Sequence, residues 1–184
     1  GARFADSGGT YSGEAYIVFG SSAPFSNPLE LSSLNGTDGL VLNGVDAYDE
    51  IFFVSSAGDV NDDGRSDVLL GGTGLQAHAY LFWGGLALRD DLSIADADLL
   101  FMPEDSDDQA HQIASAGDFN NDGIPDIFIG APYNDSNGRN VGEVYVYFGG
   151  RLPESGVVST QSAEVQLFGD DVTWEVTKML GPFT

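Results

Sequence analysis

The chain contains no cysteine and very few cationic residues. Its 184 residues include 29 Asp and Glu against 6 Lys and Arg, which gives a formal net charge of −23. The absence of cysteine excludes disulfide scaffolds, thiolate zinc sites, iron–sulfur clusters and cysteine nucleophiles. The acidic charge repels nucleic-acid phosphates and anionic lipid headgroups, so neither nucleic acid nor a membrane surface is expected as a partner.

Long apolar runs are also missing from the sequence. No run approaches the roughly 18 residues that a membrane-spanning helix needs, and the chain opens without a hydrophobic signal segment. Apolar residues nevertheless make up 42% of the composition, which is enough to bury a core and argues against disorder. The sequence therefore predicts a soluble, folded piece of a longer protein, with no membrane insertion.

What the sequence does contain is repetition. Segment 56–64 recurs as 115–123, and the segment 14–20 recurs as 78–84 and again as 143–149, with its Tyr and final Gly kept in place. The repeats are rich in Gly and in short Val, Ile, Phe and Tyr runs, which are typical of strands joined by tight turns.

Each full repeat contains four short strand candidates. They are expected at about 51–57, 67–71, 77–83 and 98–102, and then at about 111–116, 126–130, 142–148 and 164–168. Recurring sets of four antiparallel strands are typical of β-propeller blades rather than of a sandwich. The predicted fold class is therefore all-β, a partial propeller of two full blades plus flanking strands.

The domain prediction is a single propeller segment over 1–184. It comprises the end of a first blade in 1–50, a second blade in 51–109, a third blade in 110–170 and the start of a following blade in 171–184, with a strand at 172–180. Strands left open at both ends would act as aggregation templates unless they are covered. We therefore expect the chain to be a fragment of a larger propeller.

A nine-residue acidic turn follows the first strand of each full blade. Oxygen-bearing side chains occupy positions 1, 3, 5 and 9, namely Asp59, Asn61, Asp63 and Asp67, then Asp118, Asn120, Asp122 and Asp126. Such oxygens can curl around Ca²⁺, which takes about six to eight oxygen ligands in a flexible geometry that Mg²⁺ does not favour. Gly64 and Gly123 allow the positive φ that the turn needs. The backbone carbonyls of Arg65 and Ile124 are expected as further ligands, so the sequence predicts two Ca²⁺ sites.

Other calcium-binding motifs fit these turns less well. An EF-hand loop needs a Glu at position 12 and flanking helices, but that position is Leu70 in one turn and Ile129 in the other. Thrombospondin-type calcium repeats depend on cysteine. The remaining alternative is a metal-free Asp/Asn/Gly turn that caps a hairpin.

Together these motifs resemble the FG-GAP repeats of the integrin α-subunit β-propeller and of its secreted bacterial relatives. Phe19-Gly20 and Phe148-Gly149 look like the FG element, with Trp83-Gly84 as a variant, and 130–132 reads Gly-Ala-Pro. In that family the calcium loop joins the first and second strands of a blade. The resemblance implies Ca²⁺ ligation by Asp59, Asn61, Asp63, Arg65 and Asp67, and by Asp118, Asn120, Asp122, Ile124 and Asp126.

The same resemblance implies a partner-binding face opposite the calcium loops. By position, its loops are 3–13, 72–77 and 132–142, with 44–50 and 103–110. Exposed aromatic and Arg side chains are frequent hot spots. The residues expected to contact a partner are Tyr11, Tyr133, Asn134, Arg139 and Asn140.

No pattern in the sequence indicates catalysis. A G-x-S-x-G elbow is absent, and His78 and His111 lack metal-ligating neighbours at the usual spacing, so a surface or half-buried structural role is expected for each. Triplets at 35–37 and 134–136 fit the glycosylation pattern, which also arises by chance.

The expected function is that of a non-catalytic, calcium-binding propeller module, secreted or at the cell surface. Its Ca²⁺ ions would rigidify the blade hairpins, and it would mediate adhesion or bind an extracellular protein or glycan, together with the remaining blades of a longer propeller. Two alternatives remain open: an accessory propeller module of a large secreted, phospholipase-like hydrolase, and a calcium-responsive switch.

Overall fold

A computed structural model describes residues 1–74, 77–85, 92–136, 138 and 141–169. Among these residues there are strands and short 3₁₀ helices but no α-helix. The strands are β1 Glu14–Val18, β2 Gly39–Asn43, β3 Ile51–Gly58, β4 Asp67–Gly72, β5 Ala79–Phe82, β6 Leu92–Ser93, β7 Leu99–Met102, β8 Gln112–Gly117, β9 Asp126–Ala131, β10 Glu143–Tyr147, β11 Gly156–Ser159 and β12 Val165–Phe168. The 3₁₀ helices are Leu31–Ser33, Ile94–Asp96, Ser106–Asp108 and Thr160–Ser162.

The strands form three sheets. The first has the order β1-β2-β6, the second β11-β7-β5-β4-β3 and the third β12-β10-β9-β8. The second and third sheets each contain four consecutive antiparallel strands, β3-β4-β5-β7 and β8-β9-β10-β12. The predicted fold class is confirmed: the protein is all-β, with the antiparallel sheets of a partial propeller.

All eight strands predicted for the two full repeats are present, with bounds that differ by no more than about two residues, the usual uncertainty of element ends. The strand expected at 172–180, and with it the start of a following blade in 171–184, lies outside the described residues.

Two short strands were not predicted. β6 pairs in parallel with β2, and β11 pairs in parallel with β7. Each of them belongs by sequence to the repeat that follows the strand it covers, and each runs directly into a 3₁₀ helix. We call these two segments, 92–96 and 156–162, the straps, because they fasten one sheet to the next.

The apolar core lies between neighbouring sheets. Leu69, Leu81 and Phe101 of the second sheet form one buried cluster with residues of the third sheet that include Ile129 and Tyr147. The rings of Phe101 and Tyr147 lie 4.9 Å apart. A separate cluster joins the first and second sheets. Because each fully buried apolar side chain stabilises the fold by roughly 1.5–3 kcal/mol, this packing holds the sheets together face to face.

The glycine that follows the third strand of a full blade packs against the acidic turn of the same blade. A Cβ added at Gly149 would lie 2.5 Å from Ile124 Cγ2 and would also overlap the Pro125 carbonyl oxygen. At Gly84 a Cβ would meet Arg65 and Ser66 at 2.6 Å. Gly20 ends the corresponding strand of the first sheet, where a Cβ would meet nothing within 4 Å. Of these three glycines, the two that pack against an acidic turn have no room for a side chain, whereas Gly20 has room for one.

A buried polar cluster lies at the other end of the third sheet. Glu143 is 1% exposed, and the Tyr145 hydroxyl donates to its Oε2 at 2.8 Å, while Oε1 has no hydrogen-bond partner among the described residues. Asn134 Nδ2 donates to both Asp108 Oδ2 and the Tyr145 hydroxyl oxygen, each at 3.1 Å. Burial raises the pKa of Glu143, and the nearby Asp108 raises it further against the lowering effect of the Tyr145 hydrogen bond.

The glycine packing generates a first prediction. Gly149→Ala should lower the free energy of unfolding by about 1–3 kcal/mol, the usual cost of overpacking, because the new methyl group displaces the turn. Gly20→Ala, the matched control, should change it by less than about 0.5 kcal/mol. Urea denaturation of both variants measures this difference, and equal effects would contradict the packing argument.

The polar cluster generates a pH prediction. Since the folded-state pKa of Glu143 is raised above its ordinary value of 4.5, the folded state binds more protons than the unfolded state in that range. Glu143 should therefore make the free energy of unfolding fall as the pH rises from about 4.5 through the raised folded-state pKa. Glu143→Gln, which keeps an acceptor for the Tyr145 hydroxyl, should remove this contribution. Denaturation of both proteins from pH 4 to about 8 tests it, and a pH-independent difference between them would contradict it.

Candidate metal centre

The two acidic turns lie where the resemblance places them. Residues 59–66 connect β3 to β4, and residues 118–125 connect β8 to β9, which are the first and second strands of the second and third sheets. Just before each turn the strand pairing shifts at a bulge, and Gly58 and Gly117 there have φ values of 83° and 64°. Both turns are therefore entered through the same irregularity.

The backbone of the two turns is also the same. Gly64 and Gly123 at position 6 are left-handed, with φ values of 88° and 94°, as the sequence predicts. Asp62 and Asn121 at position 4 are left-handed as well, at 58° and 60°. Asp and Asn tolerate this region better than other non-glycine residues do, which explains their presence at position 4.

Side-chain oxygens at positions 1, 3 and 5 of the first turn accept backbone hydrogen bonds. Asp59 accepts from the N–H groups of Asp63 at 2.9 Å and Gly64 at 2.8 Å. Asn61 Oδ1 accepts from Asp63 N–H at 3.1 Å, and Asp63 Oδ1 accepts from Arg65 N–H at 2.9 Å. These bonds wind the turn around its own polar side chains.

The second turn repeats this network. Asp118 accepts from the N–H groups of Asp122 at 2.9 Å and Gly123 at 3.0 Å. Asn120 Oδ1 accepts from Asp122 N–H at 2.8 Å, and Asp122 Oδ1 accepts from Ile124 N–H at 2.9 Å. The hydrogen bonds from the Ile124 N–H and the Asn120 side chain lower the pKa of Asp122.

The carboxylate at position 9 has a different role in the same site. Asp67 and Asp126 are fully buried. Asp67 accepts from Val60 N–H at 2.8 Å and from Gly84 N–H at 2.6 Å. Asp126 accepts from Phe119 N–H at 2.7 Å and from Gly149 N–H at 2.9 Å. Each carboxylate therefore ties the start of the turn to the glycine after the third strand. Burial raises the pKa of Asp67, and the two N–H groups oppose that shift.

The ligand atoms of each turn suit a hard cation, because they are carboxylate and amide oxygens that mostly accept one hydrogen bond and keep a second lone pair. The exception is Asp126 Oδ2, which accepts from the N–H groups of both Phe119 and Asn120. In the described residues, however, no group of three or more His, Cys, Asp or Glu side chains converges closely enough to hold a metal ion. The structure brings positions 1, 3 and 5 together within each turn and holds position 9 beside them. Ion binding would therefore require these side chains to converge further, and the ligand set, with the Arg65 and Ile124 carbonyls, stays a prediction.

Sequence reasoning missed the backbone N–H groups of Gly84 and Gly149 as partners of the position-9 carboxylates. A signal for this contact exists in the sequence, since Gly84 and Gly149 each follow a full acidic turn at the end of the same blade's third strand. The recurrence of both elements in one frame could have indicated that they touch.

The residues expected on the partner-binding face have different surroundings. Tyr11 is 42% exposed, with its ring edge-on to Phe4 and Tyr48 at 5.3 and 5.8 Å, and Tyr133 is 49% exposed. Asn134 is instead buried, with its amide committed to the polar cluster, so it is not available to a partner or as a glycosylation acceptor. Arg139 and Asn140 lie outside the described residues.

The two histidines are buried rather than placed at the surface. His78 is 7% exposed and His111 is 4% exposed, and burial lowers the pKa of both. The His111 ring stacks on Phe53 at 5.7 Å. These surroundings are those of structural residues.

No helix that the structure describes has the length and apolar character needed to cross a membrane.

Comparison with known proteins adds two findings. The chain is 31% identical over 120 residues to human phosphatidylinositol-glycan-specific phospholipase D, which covers 56% of this chain and 14% of that protein. It is 30% identical over 132 residues to the rat protein of that name and 32% identical over 123 residues to the mouse protein, covering 59% of this chain and 14% of each relative. The chain thus matches only a small part of these relatives.

The second finding concerns the repeat itself. The FG-GAP repeat family matches residues 112–147, which run from β8 through the second acidic turn and β9 to the end of β10. The chain therefore carries an FG-GAP repeat at residues 112–147, within the sheets of a partial β-propeller.

Proposed function

We propose that this chain is a calcium-binding, non-catalytic propeller segment that serves as a binding module of a larger secreted protein. The observation that carries the proposal is that the two acidic turns share one conformation and the same polar side chains at the ligand positions. They differ at the pairs Val60/Phe119, Asp62/Asn121, Arg65/Ile124 and Ser66/Pro125, yet keep every side chain of the proposed ligand set. Both turns also have the same left-handed positions and the same hydrogen-bond network.

Each acidic turn concentrates negative charge. Positions 1, 5 and 9 are Asp in both turns, and in the first turn both carboxylate oxygens of Asp59, Asp63 and Asp67 accept hydrogen bonds. Two carboxylates about 5 Å apart repel by roughly 3 kcal/mol at an effective dielectric constant of about 20. A divalent cation would remove that repulsion, and this favours a metal site over a simple cap.

When bound, Ca²⁺ would supply the positive charge that offsets the carboxylates at positions 1, 5 and 9. The chain's own residues hold the site in place. Asp67 fixes the start of the first turn, at Val60, to Gly84, and the Val60 carbonyl accepts a hydrogen bond at 2.7 Å from the N–H of Gly150, which follows β10 of the third sheet. The first turn is thus part of the contact between two sheets, so an ion there would stabilise that contact as well as its own hairpin.

The relatives support an accessory role within a phospholipase-like protein. The matched region is 14% of each relative, and those proteins are named as phospholipases specific for phosphatidylinositol-glycan. We place this chain beside the catalytic part of such a protein rather than in it. A hydrolase domain elsewhere in the same polypeptide would support this assignment, and a polypeptide built only of adhesion repeats would contradict it.

The exposed aromatic cluster Phe4, Tyr11 and Tyr48, with exposed Tyr133 in the turn after β9, supports contact with a protein or glycan ligand on the face opposite the acidic turns. An extracellular location fits the same proposal, because sites with dissociation constants of about 10⁻⁴–10⁻³ M are filled at extracellular Ca²⁺ concentrations.

Isothermal titration calorimetry should detect two Ca²⁺ ions per chain, with dissociation constants of about 10⁻⁴–10⁻³ M and much weaker Mg²⁺ binding. Asp63→Asn and Asp122→Asn should each remove one ion, because each replaces a charged ligand at position 5. Asp62→Asn is the matched control: it removes the same charge from the same turn, at a position where the second turn already has Asn121. The proposal would be contradicted if no Ca²⁺ uptake were detected, or if Asp62→Asn lost one bound ion as Asp63→Asn does.

Thermal unfolding should show that Ca²⁺ binding stabilises the folded chain. At a Ca²⁺ concentration about 100 times the dissociation constant, each site should add about 2.7 kcal/mol to the free energy of unfolding, and chelation should reverse it. The double variant Asp63→Asn/Asp122→Asn should abolish this dependence of stability on Ca²⁺.

Small-angle scattering with and without chelator completes the test: an unchanged radius of gyration supports a structural ion, whereas a large change supports the calcium-responsive switch.

A further inference from the structure

The straps cover the outer strands of the first two sheets in the same register. Leu92 of β6 lies opposite Leu42 of β2, and Val158 of β11 lies opposite Phe101 of β7. Leu92 and Val158 are 2% and 6% exposed. Each strap therefore adds a parallel edge strand and one buried aliphatic side chain to the sheet of the preceding repeat.

β12 is the corresponding outer strand of the third sheet. On the inner side, Leu42 faces Ala15, Phe101 faces Ala79 and Leu167 faces Val144, so Leu167 holds the equivalent position. Within the described ranges, β12 pairs with β10 on one side and with no strand on the other. In the part of the chain that the structure describes, the outer edge of β12 thus lacks the strap that both earlier sheets have.

Side chains at two sets of equivalent positions differ in exposure between the third sheet and the earlier ones. Leu42 and Phe101 are fully buried, whereas Leu167 is 38% exposed. In the acidic turns, Val60 is fully buried against the third sheet, whereas its counterpart Phe119 is 48% exposed. Both differences fall on the face that the next sheet would cover.

We propose that the outer edge of β12, with Leu167, is the docking surface for the strap of a further FG-GAP unit, and that Phe119 lies against the segment just before that strap, as Val60 lies against Gly150. The occupant is an extended segment parallel to β12, with a branched aliphatic side chain opposite Leu167 and a 3₁₀ turn after it. This inference concerns the contact between units and does not depend on Ca²⁺.

Charge favours a strap over a second copy of this chain. β12 and both strap strands are uncharged, so an added strand meets no repulsion along this edge. Two copies docked edge to edge would each bring a net charge of −23 to the contact. An uncharged segment like β11 is therefore the better occupant.

Disulfide trapping tests this surface, because the chain has no cysteine of its own. The probe is a synthetic peptide with the sequence of residues 154–163 that carries Cys in place of Val158, and the chain carries Leu167→Cys. Residues opposite each other on paired strands lie within disulfide range, so this pair should form at least about tenfold faster than the pair made with a peptide carrying Cys in place of Val157.

Met102→Cys is the matched control in the chain. Met102 is 37% exposed, nearly the same as Leu167, but β11 already covers the edge of β7. The two peptides should therefore react with this variant at equal rates. In wild-type chain, the unmodified peptide should slow hydrogen exchange at the amides of 165–168, a readout that needs no substitution.

Equal trapping rates of both peptides at Leu167→Cys, with no added protection of 165–168, would overturn the proposal. It would also be overturned if Leu167→Cys formed chain dimers in preference to the peptide adduct at high dilution, because the occupant would then be a second copy.

Discussion

The buried carboxylate at position 9 of each acidic turn is the interaction on which the rest of the blade depends. A charged group without solvent is costly unless hydrogen bonds compensate it, and Asp67 and Asp126 each accept N–H groups from two separate segments. One segment is the start of the turn and the other is the end of the third strand. The carboxylate thereby fixes the turn against the strand, and the glycine that donates to it must approach closely, since a Cβ at Gly149 or Gly84 would collide with the turn. The FG element and the acidic turn are therefore two halves of one contact, and Gly20, with no acidic turn against it, is free of this restriction.

Much of this arrangement could be predicted from the sequence because it is local and repeated. The strands from β3 to β5 and from β8 to β10 coincide with short apolar runs bounded by Gly and Asp, and the acidic turns follow directly from residue spacing.

The straps could not be predicted in this way. β6 has two residues, and both straps pair in parallel with strands of the preceding repeat, so no nearby turn or alternation marks them. Burial of Asn134 likewise depends on Asp108, which is distant in sequence, whereas its own neighbourhood resembles an exposed loop. The ligand set remains a proposal, because the side-chain oxygens that would bind an ion also satisfy the turn's own N–H groups.

The two acidic turns are equal in conformation but not in surroundings, and this difference connects the metal proposal to the architecture. Val60 of the first turn is buried in the core shared by the second and third sheets, and its carbonyl accepts a hydrogen bond from the third sheet. Phe119, in the same place on the second turn, packs edge-on against Phe128 and remains half exposed. A turn of this kind thus contributes to the contact with the following sheet as well as to its own hairpin. Rigidity in the turn, whether from hydrogen bonds alone or from an ion, is then transmitted to the stacking of the sheets. This is a physical reason for the acidic turn and the strap to occur in the same repeat: each fastens its own sheet to a neighbour, one through a loop at the sheet's end and the other through an added edge strand.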